Sequence, residues 1–187
     1  CATVLNIIEQ QSHRGHGEDE VNKTEASFDI NCTDPLGRTA LSIAIINENP
    51  ELIEILLEAG IQTRDSRLLA IDEQYVEGVE LLLEHEERVW PGRESGAPHS
   101  WEALDPVRAA YTPDITPLIL AAHKNNYEIL KILLDRGAQL PRPHEVKCAC
   151  EQCWLASKPD SLRFCMSRLN AYKALSTPSL LALSSRA

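Results

Sequence analysis

Between Glu51 and Gly60 the chain reads ELIEILLEAG, with Leu52, Ile53, Leu56 and Leu57 at positions i, i+1, i+4 and i+5. That spacing draws a single apolar stripe down a helix. The closing Gly60 is placed to end the helix in a left-handed turn. The same figure returns at Ile129, Leu130, Leu133 and Leu134, closed by Gly137. A third stretch, LLAIDEQYVEGVELLLEH, carries the pair Leu82 and Leu83, and near the N-terminus ATVLNIIEQ puts Ile7 and Ile8 in the same slot.

A small residue keeps a fixed distance ahead of each leucine pair: Ala44, Ala70 and Ala121 lie twelve positions before Leu56, Leu82 and Leu133. On the inner face of a first helix, such a residue lets a second helix approach closely. Two of the units also open alike, with Thr39-Ala40-Leu41 and Thr116-Pro117-Leu118 at the start of a short helix. No helical hairpin of this kind buries its apolar face alone, so neighbours must stack. The T-A-L and T-P-L openings with L-L-x-x-G closings resemble ankyrin repeats. The alternative is a generic all-helical bundle, which does not explain why three copies share one internal ruler.

The expected fold is therefore all-α: an ankyrin-repeat stack of about four repeats, the first partial, followed by a metal-stapled loop and linker helices. Residues 1–29 hold the partial repeat and a polar, aperiodic stretch (His13 to Ser27) expected to be a mobile loop. Repeats follow at 30–64, 65–90 and 113–140. The third copy lacks the T-P-L opening and starts early, which predicts a short hairpin loop. An insertion at 91–112 separates it from the last repeat, with Trp90 and Trp101 expected as anchors. The metal-binding loop spans 141–158, and 159–187 begins the linker helices.

Charge narrows the partners. The net charge is −10 and the pI about 5.1, so the chain offers no broad basic field for a phosphate backbone, and nucleic acid is excluded as the expected partner. No apolar run is long enough to cross a bilayer and no secretory leader is present. The chain reads as an excised piece, so these absences leave the parent protein open. Glu84, Glu86 and Glu87 are expected on a solvated face, and His123 in an ordinary position between repeat helices. A Ser/His/Asp arrangement, a Walker loop and a Rossmann fingerprint are all missing, so no enzyme is expected.

Half of the six cysteines crowd behind one histidine, in PRPHEVKCACEQC. The spacing His144-x3-Cys148-x-Cys150-x2-Cys153 brings four soft donors within reach of one point, the set with which zinc fills a closed structural site. Ordinary loop thiols are the competing reading. Disulfide pairing fits less well, because Cys148 and Cys150 are too close to pair easily and sparse cysteine usage points to a reducing compartment. Deaminase and metalloprotease patterns are absent: Glu145 follows His144 directly, and position 148 is Cys where a second His is required. Cys1, Cys32 and Cys165 are expected to be inert thiols, with Cys32 packed in a repeat's lead-in, and His13 and His16 are not expected to bind metal. Beyond the loop, Leu162, Cys165, Leu169 and Tyr172 recur along one helical face, and Thr177-Pro178 reads as the cap of a further helix reaching Leu183.

Taken together, TPDITPLILAAHKNNYEILKILLDRG, PRPHEVKCACEQC and SRLNAYKAL with PSLLALSS resemble the N-terminal cytoplasmic region of the TRPC subfamily of transient receptor potential cation channels, from Asp29 to Ser185. PHSWE is similar to invertebrate members, including insect photoreceptor channels. Phe164-Cys165-Met166 departs from the more polar, basic stretch associated with the family. The resemblance implies a segment on the cytoplasmic side of a plasma-membrane, calcium-permeable channel of four subunits, opened by receptor-driven phospholipase C. The family's zinc site maps onto His144, Cys148, Cys150 and Cys153. Expected partners are other subunits of the same channel, as homo- or hetero-tetramer, with cytosolic regulatory or scaffold proteins. A soluble ankyrin-repeat adaptor is the alternative reading of the repeats.

Overall fold

In the computed structural model the described residues are 29–89, 111–112, 114–145 and 147–185. They form helices α1 (Ala40–Ile46), α2 (Pro50–Glu58), α3 (Ser66–Asp72), α4 (Val76–Val89), α5 (Pro117–Lys124), α6 (Tyr127–Asp135), α7 (Glu151–Ser157), α8 (Ser161–Leu175) and α9 (Pro178–Ser184). Among the described residues no strand forms; a lone antiparallel bridge joins Thr33 to Thr39. No described helix is long and apolar enough to cross a membrane. The partial first repeat, the His13–Ser27 stretch, Cys1, Trp90 and Trp101 lie outside the described residues.

The helices pair as α1–α2, α3–α4 and α5–α6, and like helices of successive pairs stack: α1 on α3 on α5, and α2 on α4 on α6. This is the predicted ankyrin stack. Each sequence signal has a backbone role. Thr39 and Thr116 accept through Oγ1 from the N–H groups of Ser42 and Ile119, satisfying donors that a helix start leaves open. The ruler alanine supplies a carbonyl to the closing turn: Asn49, Tyr75 and Asn126 donate their backbone N–H to Ala44, Ala70 and Ala121. The residue before each donor, Glu48, Gln74 or Asn125, has positive φ, so all three inner helices end in the same Schellman turn. The third hairpin is therefore no shorter than the others. Asn49 and Asn126 then cap the next helix, accepting at 3.0 and 3.1 Å from Leu52 and Ile129. In α2 and α6 the leucine pairs do the corresponding work, accepting from Gly60 and Ile61 and from Gly137 and Ala138.

Packing follows the stripes. Ile53, Leu56, Leu57, Leu82, Leu83, Ile129, Leu130 and Leu133 are buried, with Leu52 and Leu134 half-buried. Ala44, Ala70 and Ala121 are fully enclosed where the helices approach. Ion pairs tie successive repeats at Lys124–Asp72 (2.7 Å) and Arg136–Glu87 (2.9 Å). Glu86 corrects the expectation of a purely solvated acidic face, because it pairs with the buried Arg67 of α3. Burying a guanidinium requires a nearby carboxylate, a demand invisible in the local run of glutamates. Cys32 is exposed, not packed as expected: the lead-in runs along the surface, with Asn31 Oδ1 accepting from Gln62 N–H at 2.9 Å.

The post-repeat helices dock on the last hairpin. α8 lies against α5 and α9 against α6. The buried residues of α8 are Ala171 and Ala174, whereas Leu162 is 73% and Leu169 56% exposed and Cys165 faces solvent. The apolar recurrence on α8 is real, but the side that packs is the one with small residues, which permit close approach to α5. Asn170 Nδ2 donates to Asp114 Oδ2 at 2.8 Å, and its carbonyl accepts from His123 Nε2 at 3.0 Å. Pro178 opens α9 as expected. Thr177, however, gives its hydroxyl to the Ala174 carbonyl at 2.7 Å instead of capping α9. Ser179 holds α9 to the α5–α6 turn, its N–H donating to Asn125 Oδ1 and its hydroxyl to Asn125 O.

Candidate metal centre

Leaving α6, the chain runs without regular structure through Pro141 and Pro143, residues whose fixed φ and missing N–H keep it extended. A turn closes at Cys148, whose N–H donates to the Glu145 carbonyl at 2.9 Å. Cys150 then takes the N-cap position of α7, and its sulfur accepts from the Cys153 N–H at 3.5 Å. The turn and the helix start together fold three thiols back toward His144.

The four predicted donors converge. Their donor atoms all lie within 4.8 Å of one another. Nδ1 of His144 lies 3.3 Å from Cys150 Sγ, 3.4 Å from Cys153 Sγ and 3.6 Å from Cys148 Sγ. One imidazole nitrogen carries at most one proton or one lone pair, so hydrogen bonding alone does not account for three sulfurs gathered on it. A tetrahedral ion does. With Zn–S of about 2.3 Å and Zn–N of about 2.0–2.1 Å, nitrogen–sulfur edges come to about 3.6 Å and sulfur–sulfur edges to about 3.8 Å. The donor set and its spacing fit such an ion.

The protein also sets the thiols apart electrostatically. The Cys153 backbone N–H, then the thiols of Cys148 and Cys153 and the His144 ring, lower the Cys150 thiol to about 6. Burial, then the neighbouring thiols, push Cys153 up to about 11. Cys153 is the buried floor of the cluster, Cys148 and Cys150 are half-buried, and His144 lies exposed at its mouth. The thiol favoured as a thiolate thus sits beside the exposed imidazole.

Two side chains that sequence reasoning assigned no role at this cluster complete it. Arg168 and Tyr172 of α8 donate to the loop backbone, Arg168 to the carbonyls of His144 and Glu145 and Tyr172 to that of His144 at 2.9 Å. The sequence pattern puts Tyr172 on a helical face with Leu162, Cys165 and Leu169. The available signal was the i, i+4 pairing of Arg168 with Tyr172, which shows what the two share only when their target is in place.

The family profile described as transient receptor ion channel II matches residues 148–187, one of three ankyrin repeats matches 7–91 and a single-repeat profile matches 114–142. The transient receptor potential protein of Drosophila melanogaster is 60% identical over 159 residues, 85% of this chain and 12% of that protein. The short transient receptor potential channel 4 of Homo sapiens is 55% identical over 183 residues, 97% of this chain and 18% of that protein. The chain thus spans less than a fifth of the length of these relatives. Among solved structures, the ankyrin repeat domain of Bcl-3 aligns with a TM-score of 0.47 at 20% identity, covering 90% of this chain and 64% of that one. The chain belongs to the TRPC branch of the transient receptor potential channel family.

Proposed function

We propose that this chain is the N-terminal cytosolic segment of a calcium-permeable, non-selective cation channel of the plasma membrane, opened downstream of phospholipase C. In this reading it assembles with the same segment of neighbouring subunits, in a homo- or hetero-tetramer, and relays cytoplasmic changes to the gate. Its exposed surfaces are open to cytosolic regulatory or scaffold proteins. The observation that carries the reading is the extent of the likeness to a named channel, which covers the repeats, the metal loop and the post-repeat helices alike. An adaptor sharing only the repeats would lose that likeness after Leu140.

Within that segment, His144, Cys148, Cys150 and Cys153 hold one zinc ion. Four protein donors fill a tetrahedral shell and leave no position for a reacting water, so the ion is a structural cross-link. When bound, it ties the loop leaving the last repeat to the start of α7. His144 supplies the exposed side of the grip, Cys148 and Cys150 its half-buried flank and Cys153 the buried side.

The test is a chimera in which residues 1–187 replace the matching segment of the human short transient receptor potential channel 4. Whole-cell currents evoked through a phospholipase C-coupled receptor, together with the mass of the assembled channel, are the readouts. A tetramer with receptor-evoked, calcium-carrying current is expected. A chimera that reaches the surface as monomers, or as tetramers without current, overturns the proposal in favour of the adaptor.

A further inference from the structure

One turn of α8, from Arg168 to Tyr172, touches two bodies at once. On one side Arg168 and Tyr172 place hydrogen bonds on the His144 carbonyl, with a further bond from Arg168 to the carbonyl of Glu145. On the other, Asn170 bonds Asp114 and His123, and Ala171 is buried. The carbonyl that gathers both donors belongs to the residue whose Nδ1 faces all three sulfurs. His144 is exposed and lies in irregular backbone after Pro143, so neither burial nor a helix fixes its ring. The donors on its carbonyl hold its backbone.

We propose that Arg168 and Tyr172 are positioning residues for the metal, and that through them metal affinity and the seating of α8 on the last repeat form one linked equilibrium. The proposal rests on the reading of the four side chains as a zinc centre. An exposed histidine in a free loop loses backbone and side-chain freedom when it ligates. Holding its carbonyl beforehand removes part of that loss. Hydrogen-bonding partners beyond the ligands typically change metal affinity by about 10–100-fold. Linkage runs both ways: if docking of α8 raises zinc affinity, zinc tightens that docking by the same factor. The contacts of Asn170 with Asp114 and His123 then bear on the metal without touching a ligand.

The test uses the 187-residue chain and its Tyr172→Phe, Arg168→Gln and Asp114→Ala variants. Zinc affinity is read by competition with a chromophoric chelator, ligand geometry by the visible spectrum of the cobalt-loaded protein, and folding by the thermal midpoint in excess chelator. Tyr172→Phe and Arg168→Gln are expected to lower zinc affinity at least about tenfold and to shift the cobalt bands. The metal-free midpoint of Tyr172→Phe stays at the wild-type value, a pattern that a purely structural role does not give. Asp114→Ala is expected to lower affinity by about fivefold or more. Clamp variants that bind zinc within twofold of a loaded wild type overturn the positioning role alone, and an unchanged Asp114→Ala overturns the linkage. A wild-type chain that takes up neither zinc nor cobalt overturns the metal centre, and the clamp's role with it.

Discussion

Removing the metal should melt α7 and leave the repeats standing. The helix has seven residues, and its buried residue is Cys153, itself one of the four donors. Isolated helices shorter than about 12–15 residues are marginal in water. Ordering seven residues costs about 7–14 kcal/mol at about 1–2 kcal/mol per residue. Burial of one small side chain returns at most about 1–3 kcal/mol, and a helix this short makes few hydrogen bonds of about 0.5–1.5 kcal/mol net each. The deficit is several kcal/mol, which zinc binding, worth about 10–16 kcal/mol in small zinc peptides, is large enough to cover. The repeats stand apart, because Ile53, Leu56, Leu118, Ile129 and Leu130 are enclosed independently of the loop. Hydrogen exchange of the zinc-loaded chain, the chelated chain and Cys148→Ser measures this directly. Amides of residues 151–157 should lose at least about a hundredfold of protection, as expected for a local opening that falls by about 2.7 kcal/mol or more. Amides of residues 118–134 should be unchanged. Protection in α7 that survives both chelation and Cys148→Ser refutes the reasoning, since the helix would then be held by packing.

Other outcomes follow from the repeats. Leu130→Ala, which empties a fully enclosed site, should cost about 2–5 kcal/mol in urea unfolding. Asn126→Ala removes the acceptor for the Ile129 N–H and should cost about 1 kcal/mol in the same assay. Gly137→Ala forces a side chain onto a residue with φ of 80° and should cost about 1–2 kcal/mol, a penalty that Gly137→Asn should lessen because Asn tolerates that backbone. The backbone N–H of Arg38, with help from its side chain, holds the Asp34 carboxyl below its ordinary value of 3.8. A depressed folded value gives stability that is present above 3.8 and lost as pH falls through the folded value. The midpoint difference between wild type and Asp34→Asn should therefore shrink as pH drops below 3.8.

The division between what the chain announces and what folding decides follows the range of the forces. Helix spacing, threonine caps, ruler alanines and closing glycines act over a few residues, so the ankyrin hairpins were legible from Thr39, Ala44, Leu56 and Gly60 alone. The convergence of the His/Cys cluster was legible for the same reason: His144 to Cys153 is a ten-residue span whose turn and N-cap are local events. Contacts between distant segments left no such mark. Periodicity located an apolar stripe on α8 but not the side that packs, which is set by how closely α5 approaches and hence by Ala171 and Ala174. Glu86 looked like one more surface carboxylate until Arg67 met it across the hairpin. Arg168 and Tyr172 acquire their role at His144 only because α8, anchored to the last repeat through Asn170, crosses the mouth of the loop. A hydrogen bond between residues 24 or 28 positions apart depends on where two elements come to rest, and that is decided by the packing of the whole stack.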